Sequence, residues 1–143
     1  MKKIAVGLSG GVDSCTAAYL LCEQGYEVMG ITLRLKQGSL ADADIADARR
    51  IAEALGIELE VLDLREYFKE KIIEPFVGEY LAARTPNPCI ECNGIIKFGA
   101  MLDYAVSKGC NALATGHYAK IEQSGGRFLL KKADSVKDQS YFL

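Results

Sequence analysis

The sequence predicts an α/β fold in which a doubly wound, mostly parallel sheet carries helices on both faces. Apolar, β-branched segments alternate with amphipathic segments of helical period along residues 1–64. Glycines end both of the helical segments, as expected at a helix carboxyl terminus. Each helical segment is also long enough to serve as the crossover that two parallel neighbours require.

The first half of the chain supplies the pattern strand, helix, strand, helix, strand. The predicted strands are residues 2–8, 26–35 and 57–64, and the predicted helices are residues 13–24 and 40–56. The second helix has acidic residues near its start and arginines later, which its dipole favours. Ligands of such sheets bind beyond the carboxyl ends of the strands, so we expect the site there.

The second half of the chain predicts a longer and less regular set of elements. Residues 65–84 form a helix interrupted near their single proline, and residues 85–94 form an irregular loop because of their two prolines. Residues 95–109 form another amphipathic helix, and residues 111–121 form a fourth strand. Residues 117–133 then read as a hairpin that turns at Ser-Gly-Gly.

Length and composition indicate one soluble globular domain. The chain has 143 residues, half of them apolar, and a formal charge of -2. This charge excludes nucleic-acid binding by bulk electrostatics, so any RNA contact must be a local patch. Five cysteines without a secretory leader favour a reducing cytoplasm, and no apolar stretch approaches the roughly 20 residues of a membrane span.

The stretch LSGGVDS, residues 8–14, places two glycines between the first strand and the first helix. Unpaired amides at a helix amino terminus bind phosphate well, and glycines let the phosphate approach them. Ser9 and Ser14 add hydroxyl donors, and Asp13 is suited to hold Mg²⁺. The alternative is a tight turn in which Asp13 only caps the helix. The lysine of the mononucleotide P-loop and the dinucleotide glycine pattern are both absent.

Cys89 and Cys92 form a closely spaced pair within TPNPCIECN. Such a pair can bind zinc, bind an iron–sulfur cluster, act as a redox dithiol or carry sulfur. The segment's prolines suggest an exposed loop and favour a reactive Cys92. The remaining cysteines, Cys15, Cys22 and Cys110, are expected to pack in the core.

Three further side chains are candidates for the phosphate site or its surroundings. Lys97 and Lys120 carry the right charge for phosphate, although a solvated surface role fits them equally well. His117 is the only histidine and follows a glycine at a predicted strand end. We expect it at the nucleotide pocket and not as a catalyst.

The motif SGGVDS resembles the pyrophosphate-loop (PP-loop) signature of the ATP pyrophosphatases, which cleave ATP between its α- and β-phosphates. Together with TPNPCIECNGIIKFG, ATGHYAKI and KDQSYFL, in this order, it resembles the amino-terminal part of bacterial tRNA-specific 2-thiouridylases. The resemblance implies an adenine nucleotide α-hydrolase-like fold. It also implies that residues 1–143 are a single ATP-pyrophosphatase-type domain from a longer enzyme, without the carboxy-terminal domains that help to hold tRNA.

This resemblance implies a reaction and a set of site residues. ATP, with Mg²⁺, adenylates the C2 oxygen of the wobble uridine of tRNA, and persulfide sulfur from a donor protein then displaces AMP to leave 2-thiouridine. Implied nucleotide-binding residues are Gly7, Leu8, Ser9, Gly10, Gly11, Val12, Asp13, Ser14, Leu33 and Gly116. Implied tRNA-binding residues are Asn87, Pro88 and Cys89 at the target base, with Lys137, Asp138 and Gln139 elsewhere. The implied catalytic residues are Cys92, Cys89 and Asp13.

Cys89 stands where the resembled family commonly has aspartate, which leaves two hypotheses for the pair. Cys89 and Cys92 are either ligands of a 4Fe-4S cluster with a third cysteine, or a sulfur carrier with its resolving thiol. Two other functions also stay open. The chain would then belong to another PP-loop ATP pyrophosphatase that acts on a small molecule, or to a non-catalytic nucleotide- or metal-binding module.

Overall fold

A four-stranded parallel sheet forms the centre of the molecule in the computed structural model, which describes residues 2–143. The strands are β1 (Lys3–Gly7), β2 (Glu27–Arg34), β3 (Glu58–Asp63) and β4 (Ala112–Ala114), in the order β3-β2-β1-β4. All three pairings are parallel. This arrangement confirms the doubly wound α/β fold predicted from the alternation of segments.

One face of the sheet is covered by α1 (Val12–Glu23) and α2 (Ser39–Leu55). Val6, Leu8 and Val28 of the sheet side pack there against alanines of the two helices. Gly25 and Gly56 follow the helices with φ of 80° and 66°, a left-handed conformation that glycine adopts without strain. Both helices therefore end where the glycines predicted.

The opposite face is covered by a single long helix with two kinds of winding. Its parts are α5 (Pro88–Glu91), a π-helical stretch that we call the thiol segment (Cys92–Met101), and α6 (Leu102–Ser107). Buried side chains from β1, from β2, from the helix and from the turn that follows it meet in one cluster: Ala5, Met29, Ile31, Met101, Ala105 and Cys110. Because successive strand residues point to opposite faces, β1 contributes Ala5 to this cluster and Val6 to the other.

The helix predicted over residues 65–84 is interrupted by a change of winding, without a break. It consists of α3 (Arg65–Phe68), a π-helical stretch at Lys69–Ile73 and α4 (Glu74–Leu81). Pro75 is near the start of α4. Proline cannot donate a backbone hydrogen bond to the preceding turn, which explains why the irregular winding lies just before it.

The prediction of an irregular loop over residues 85–94 is correct only for residues 85–87 and wrong for residues 88–94, which are helical. The helix begins at Pro88, because the side-chain oxygen of Asn87 accepts a hydrogen bond from the backbone N–H of Cys89 at 3.1 Å. Proline at the first helical position loses no hydrogen bond, and its fixed φ suits the helix. Cys92 consequently lies on a helix and not on a loop.

The prediction of a strand over residues 111–121 is also too long. β4 stops at Ala114, which pairs with Val6 near the end of β1, and residues 115–119 leave the sheet. The chain then forms an antiparallel hairpin from β5 (Lys120–Ser124) and β6 (Arg127–Lys131). Its turn is Gly125-Gly126, both with positive φ, as the sequence predicted.

The three cysteines expected in the core differ in burial. Cys110 is 6% exposed and belongs to the cluster beneath α6. Cys22 is partly buried against the other cluster, and Cys15 is partly buried on α1. Across residues 2–143, no helix is long and apolar enough to span a membrane.

The Asn87 cap gives a test of the corrected helix start. Asn87→Ala should lower the free energy of unfolding by about 1 kcal/mol, because the first turn of α5 loses its side-chain acceptor. Asn87→Asp should retain most of the stability, since aspartate caps equally well. Urea unfolding measures both, with Thr85→Ala as an exposed control. Equal stability of the alanine and aspartate variants would contradict the assignment.

Candidate functional site

A cavity of about 380 Å³ opens at the carboxyl ends of β1, β2 and β4, where a parallel sheet of this class binds ligands. Its volume is within the range of small-molecule sites. Several residues that the sequence singled out line it: Gly7, Leu8, Ser9, Asp13, Ser14, Leu33, Lys97, Gly116, His117 and Gln139. The cavity thus brings together parts of the chain that are far apart in sequence.

Gly10 allows the glycine turn to press against α2. Its φ is +81°, and a Cβ built on it would lie 2.9 Å from the carbonyl oxygen of Asp44 and 3.0 Å from Cβ of Asp47. Gly11 precedes the first residue of α1 and offers no side chain to cap it. The amino terminus of α1 therefore retains the unpaired amides and partial positive charge that suit a phosphate.

The two serines of the turn mainly hold its shape. The hydroxyl of Ser14, which is 5% exposed, donates to the carbonyl of Gly11 at 3.0 Å and accepts from the backbone N–H of Ser9 at 3.2 Å. Ser9 is exposed, and its Oγ lies 3.2 Å from Oγ of Ser14. Because the single hydroxyl hydrogen of Ser14 is used within the turn, Ser9 is the better placed donor for a ligand.

Gly116 brings the segment after β4 into contact with the first turn of α1. A Cβ at this position would lie 2.7 Å from the carbonyl carbon of Asp13 and 2.7 Å from the backbone nitrogen of Ser14. These are backbone atoms that cannot rotate away. Only glycine fits this approach, which closes one side of the cavity.

Asp13 is tied to the chain's last residues through Tyr118. The Tyr118 hydroxyl donates to Oδ1 of Asp13 at 2.8 Å, and this bond raises the pKa of the Tyr118 phenol. The backbone of Tyr118 exchanges two hydrogen bonds with Gln139, at 2.9 and 2.8 Å, and the Lys137 ammonium lies 5.5 Å from the centre of the Tyr118 ring. Sequence reasoning missed Tyr118, although it lies within the quoted motif ATGHYAKI.

Asp138, between Lys137 and Gln139, stabilises the local chain. Its carboxylate accepts from the backbone N–H of Ala133 at 2.6 Å and from the hydroxyl of Ser140 at 2.8 Å. These bonds, the first above all, lower the pKa of Asp138. Lys137 and Asp138 do not line the cavity, whereas Gln139 does.

Asp13 and Asp44 are the two carboxylates that line the cavity. Among the residues described, no group of three or more His, Cys, Asp or Glu side chains is placed to hold a metal ion. Mg²⁺ in nucleotide sites uses one or two carboxylates, with phosphates and water completing its shell. The two aspartates fit that requirement. Asp44 was missed because its position in the acidic start of α2 indicated only a helix-dipole role.

Cys89 is exposed and Cys92 is half-buried, and both thiols are free. Burial raises the pKa of Cys92, the charge of Lys97 opposes this, and Cys89 adds to the rise. In π winding the backbone hydrogen bonds join residues i and i+5, and the charge of Lys97 acts on the Cys92 thiol, so these two side chains are neighbours on the thiol segment. The helix therefore connects the thiol pair to the cavity, which Lys97 lines.

A cluster held by this chain alone does not fit the observed cysteines. Three thiolates are the minimum for the predicted cluster, and residues 2–143 bring no such set together. Two cysteines, Cys89 and Cys92, are near each other, but Cys15, Cys22 and Cys110 belong to other parts of the fold.

Lys97 and His117 contact each other at the cavity, whereas Lys120 is elsewhere. Lys97 Nζ is 3.2 Å from Nε2 of His117. Burial, followed by the charge of Lys97, lowers the pKa of His117. Lys120 instead pairs with Asp134 on the hairpin side.

The remaining predicted residues lie outside the cavity lining. Gly10, Gly11 and Val12 form the outer part of the turn, with Val12 75% exposed. The amino-terminal end of the long helix, before Lys97, contains Asn87, Pro88, Cys89 and Cys92, which do not line the cavity. The structure thus brings the nucleotide candidates together and places the base and thiol candidates next to them along one helix.

Comparisons with known proteins agree with this architecture. Residues 2–143 match the family described as tRNA methyl transferase HUP domain. The tRNA-specific 2-thiouridylase MnmA of Clostridioides difficile (strain 630) is 51% identical over 154 residues, covering 99% of this chain and 43% of the relative. The tRNA-specific 2-thiouridylase MnmA 1 of Clostridium botulinum (strain Langeland / NCTC 10281 / Type F) is 48% identical over 153 residues, with the same coverage.

A solved structure extends the comparison to three dimensions. The U34-tRNA thiolase NcsA from Methanococcus maripaludis, described with its 4Fe-4S cluster, matches with a TM-score of 0.61 and 27% identity, over 81% of this chain and 38% of that one. The chain spans less than half the length of the curated relatives, 43% in both cases above. These matches confirm the resemblance to the 2-thiouridylases, and the chain belongs to the tRNA methyl transferase HUP domain family.

Proposed function

We propose that this chain is the ATP-using part of a tRNA sulfurtransferase that converts the wobble uridine to 2-thiouridine. The observation that carries the proposal is the cavity at the sheet edge. It unites the glycine turn, Asp13 and Gly116 with Lys97, which lies on the helix that bears Cys89 and Cys92. The names of the relatives, tRNA-specific 2-thiouridylases and a U34-tRNA thiolase, support the same reaction.

The first step is adenylation of the base. The phosphates of ATP bind at the amino terminus of α1, where backbone amides and Ser9 donate hydrogen bonds. Asp13 and Asp44 would hold Mg²⁺, which neutralises phosphate charge when bound. The C2 oxygen of uridine then attacks the α-phosphorus and pyrophosphate leaves. Asn87 and Pro88, at the start of the long helix, are the proposed contacts of the base, and Lys137 is a proposed contact of the tRNA backbone.

The second step is sulfur transfer from Cys92. A donor protein loads Cys92 with a persulfide, and its terminal sulfur bonds to C2 of the base as AMP leaves. A second thiol then cleaves the remaining sulfur–sulfur bond and forms a disulfide with Cys92. Cys89, exposed and close enough to affect the pKa of Cys92, is the proposed resolving thiol. The alternative, in which Cys89 and Cys92 bind a 4Fe-4S cluster, needs at least one further ligand, because residues 2–143 bring no third cysteine to this pair.

The other two hypotheses find less support. An enzyme that acts on a small molecule, or a non-catalytic binding module, would not need a thiol pair on the helix that reaches the nucleotide cavity. The relatives at 51% and 48% identity are named for a tRNA reaction. A reducing cytoplasm, where tRNA is modified and thiols stay reduced, is the proposed location.

Asp13 provides a test of the adenylation site. Asp13→Asn should reduce tRNA-dependent formation of AMP and pyrophosphate by about 100-fold or more. The variant loses the carboxylate that would hold Mg²⁺, and with it the stabilisation of negative charge in the transition state. The exposed position of Asp13 predicts an unchanged unfolding midpoint. Asp103→Asn, on the exposed side of α6, is the matched control. Full activity of the Asp13 variant would reject the site.

Cys92 separates the two chemical steps. Cys92→Ser should still catalyse tRNA-dependent exchange of labelled pyrophosphate into ATP, while 2-thiouridine falls below detection in nucleoside analysis of the product tRNA. Serine cannot carry a persulfide. Cys15→Ser, a partly buried cysteine on α1, is the control and should leave both steps unchanged. Thiolation that survives in the Cys92 variant would remove this residue from the mechanism.

A further inference from the structure

We propose that Lys97 is the cationic side chain that binds the phosphates of the nucleotide, and that His117 is a positioning residue that orients Lys97 for this task. The inference rests on the proposed function only in taking ATP as the ligand. It assigns a phosphate-binding role to a side chain outside the glycine turn, on the opposite face of the sheet from α1.

The charges around the cavity require such a residue. Asp13 and Asp44 line it, and Lys97 is the only lysine or arginine among the lining residues that the structure describes. A triphosphate adds several negative charges to a site that already holds two carboxylates. The turn itself carries no lysine, unlike the mononucleotide P-loop. Among the described residues that line the cavity, Lys97 is therefore the side chain that can supply a full positive charge to the phosphates.

The hydrogen-bond donors and acceptors define the state of His117. An ammonium group donates and cannot accept, so Nε2 of His117 accepts from Lys97 at 3.2 Å. Nδ1 then carries the imidazole hydrogen and donates to Oγ1 of Thr115, which lies 2.8 Å away. A neutral ring agrees with the lowered pKa of His117. Two of the three ammonium hydrogens of Lys97 remain for a ligand.

The ring that holds Lys97 packs near two other aromatic rings. The His117 ring centre is 6.2 Å from that of Phe98 and 6.0 Å from that of Phe142. Phe142 is fixed in turn, since its carbonyl accepts from the buried side chain of Asn93 at 3.0 Å. A free lysine side chain loses up to about 2 kcal/mol of conformational entropy when it is ordered. Here folding orders Lys97 before the nucleotide arrives, which favours binding.

The experiment measures binding of α,β-methylene-ATP and of adenosine to the full-length protein by calorimetry, without tRNA. Lys97→Met should weaken the triphosphate analogue about 10- to 100-fold, the effect of losing a charge-assisted hydrogen bond, and leave adenosine unchanged. Lys69→Met, an exposed lysine of the other π-helical stretch, should bind both like the wild type. Equal triphosphate binding by the Lys97 variant and the wild type would overturn the inference.

His117 is tested through Lys97. His117→Phe keeps an aromatic ring beside Phe98 and Phe142 but removes the acceptor, and it should weaken binding of the triphosphate analogue less than Lys97→Met does. The double variant should bind no more weakly than Lys97→Met alone, because a residue that acts through another is not additive with it. Additive losses would overturn the positioning role. His117→Gln, whose side-chain carbonyl can accept from Lys97, should retain most of the binding even if the phenylalanine variant folds poorly.

Failure of this inference can be distinguished from failure of the proposed tRNA thiolation. A wild-type protein that binds the triphosphate analogue through Lys97 but never thiolates tRNA would refute the reaction and leave this inference intact. A protein that thiolates tRNA while the Lys97 variant keeps its full triphosphate affinity would do the reverse. In the Lys97 variant the pKa of His117, followed by NMR, should also move up toward its ordinary value.

Discussion

The close approach of Gly116 to the first turn of α1 is the contact on which the rest of the site depends. A Cβ at Gly116 would lie 2.7 Å from backbone atoms of Asp13 and Ser14, so any other residue would push the two segments apart. This contact places Tyr118 within hydrogen-bond distance of Asp13. It also directs His117 toward Lys97 from the other side. Residues from elements on both faces of the sheet thereby line one cavity.

The division of work within the cavity follows from the chemistry of each face. The α1 side offers backbone amides and hydroxyls, which bind phosphate without a full charge. The side of the long helix offers an ammonium group next to a half-buried thiol. Both faces therefore offer groups suited to phosphate at one cavity, the amides of α1 from one side and the ammonium group of Lys97 from the other.

The elements that local periodicity governs were predictable, and the exceptions have physical causes. Strands β1 to β3 and helices α1 and α2 follow from their apolar patterns and their closing glycines. The start of α5 was mistaken because Pro88 was read as a helix breaker, whereas the Asn87 cap makes it a first helical residue. The length of β4 was overestimated, because a strand extends only as far as its partner, and β1 ends at Gly7.

The site residues divide in the same way. The glycine turn and the thiol pair are contiguous motifs, so the sequence could indicate them. Asp44 reaches the cavity only through tertiary packing. Tyr118 likewise reaches Asp13 only in the folded chain, because 105 residues separate the two along the sequence. No local pattern could indicate that Lys97, one of many surface-type lysines, would lie beside the only histidine.

The π-helical winding of the thiol segment has a consequence for geometry. An α-helix turns by about 100° per residue, so Cys92 and Lys97 would be separated by about 1.4 turns in a regular α-helix. The wider π winding brings them nearer to the same side of the helix, while Met101 and Ala105 pack in the core cluster. Asn93, Ile96 and Met101 of the same segment are buried, so the segment that carries Cys92 is also part of the packed interior. A change of one residue in its length would therefore move the sulfur atoms only together with these buried side chains.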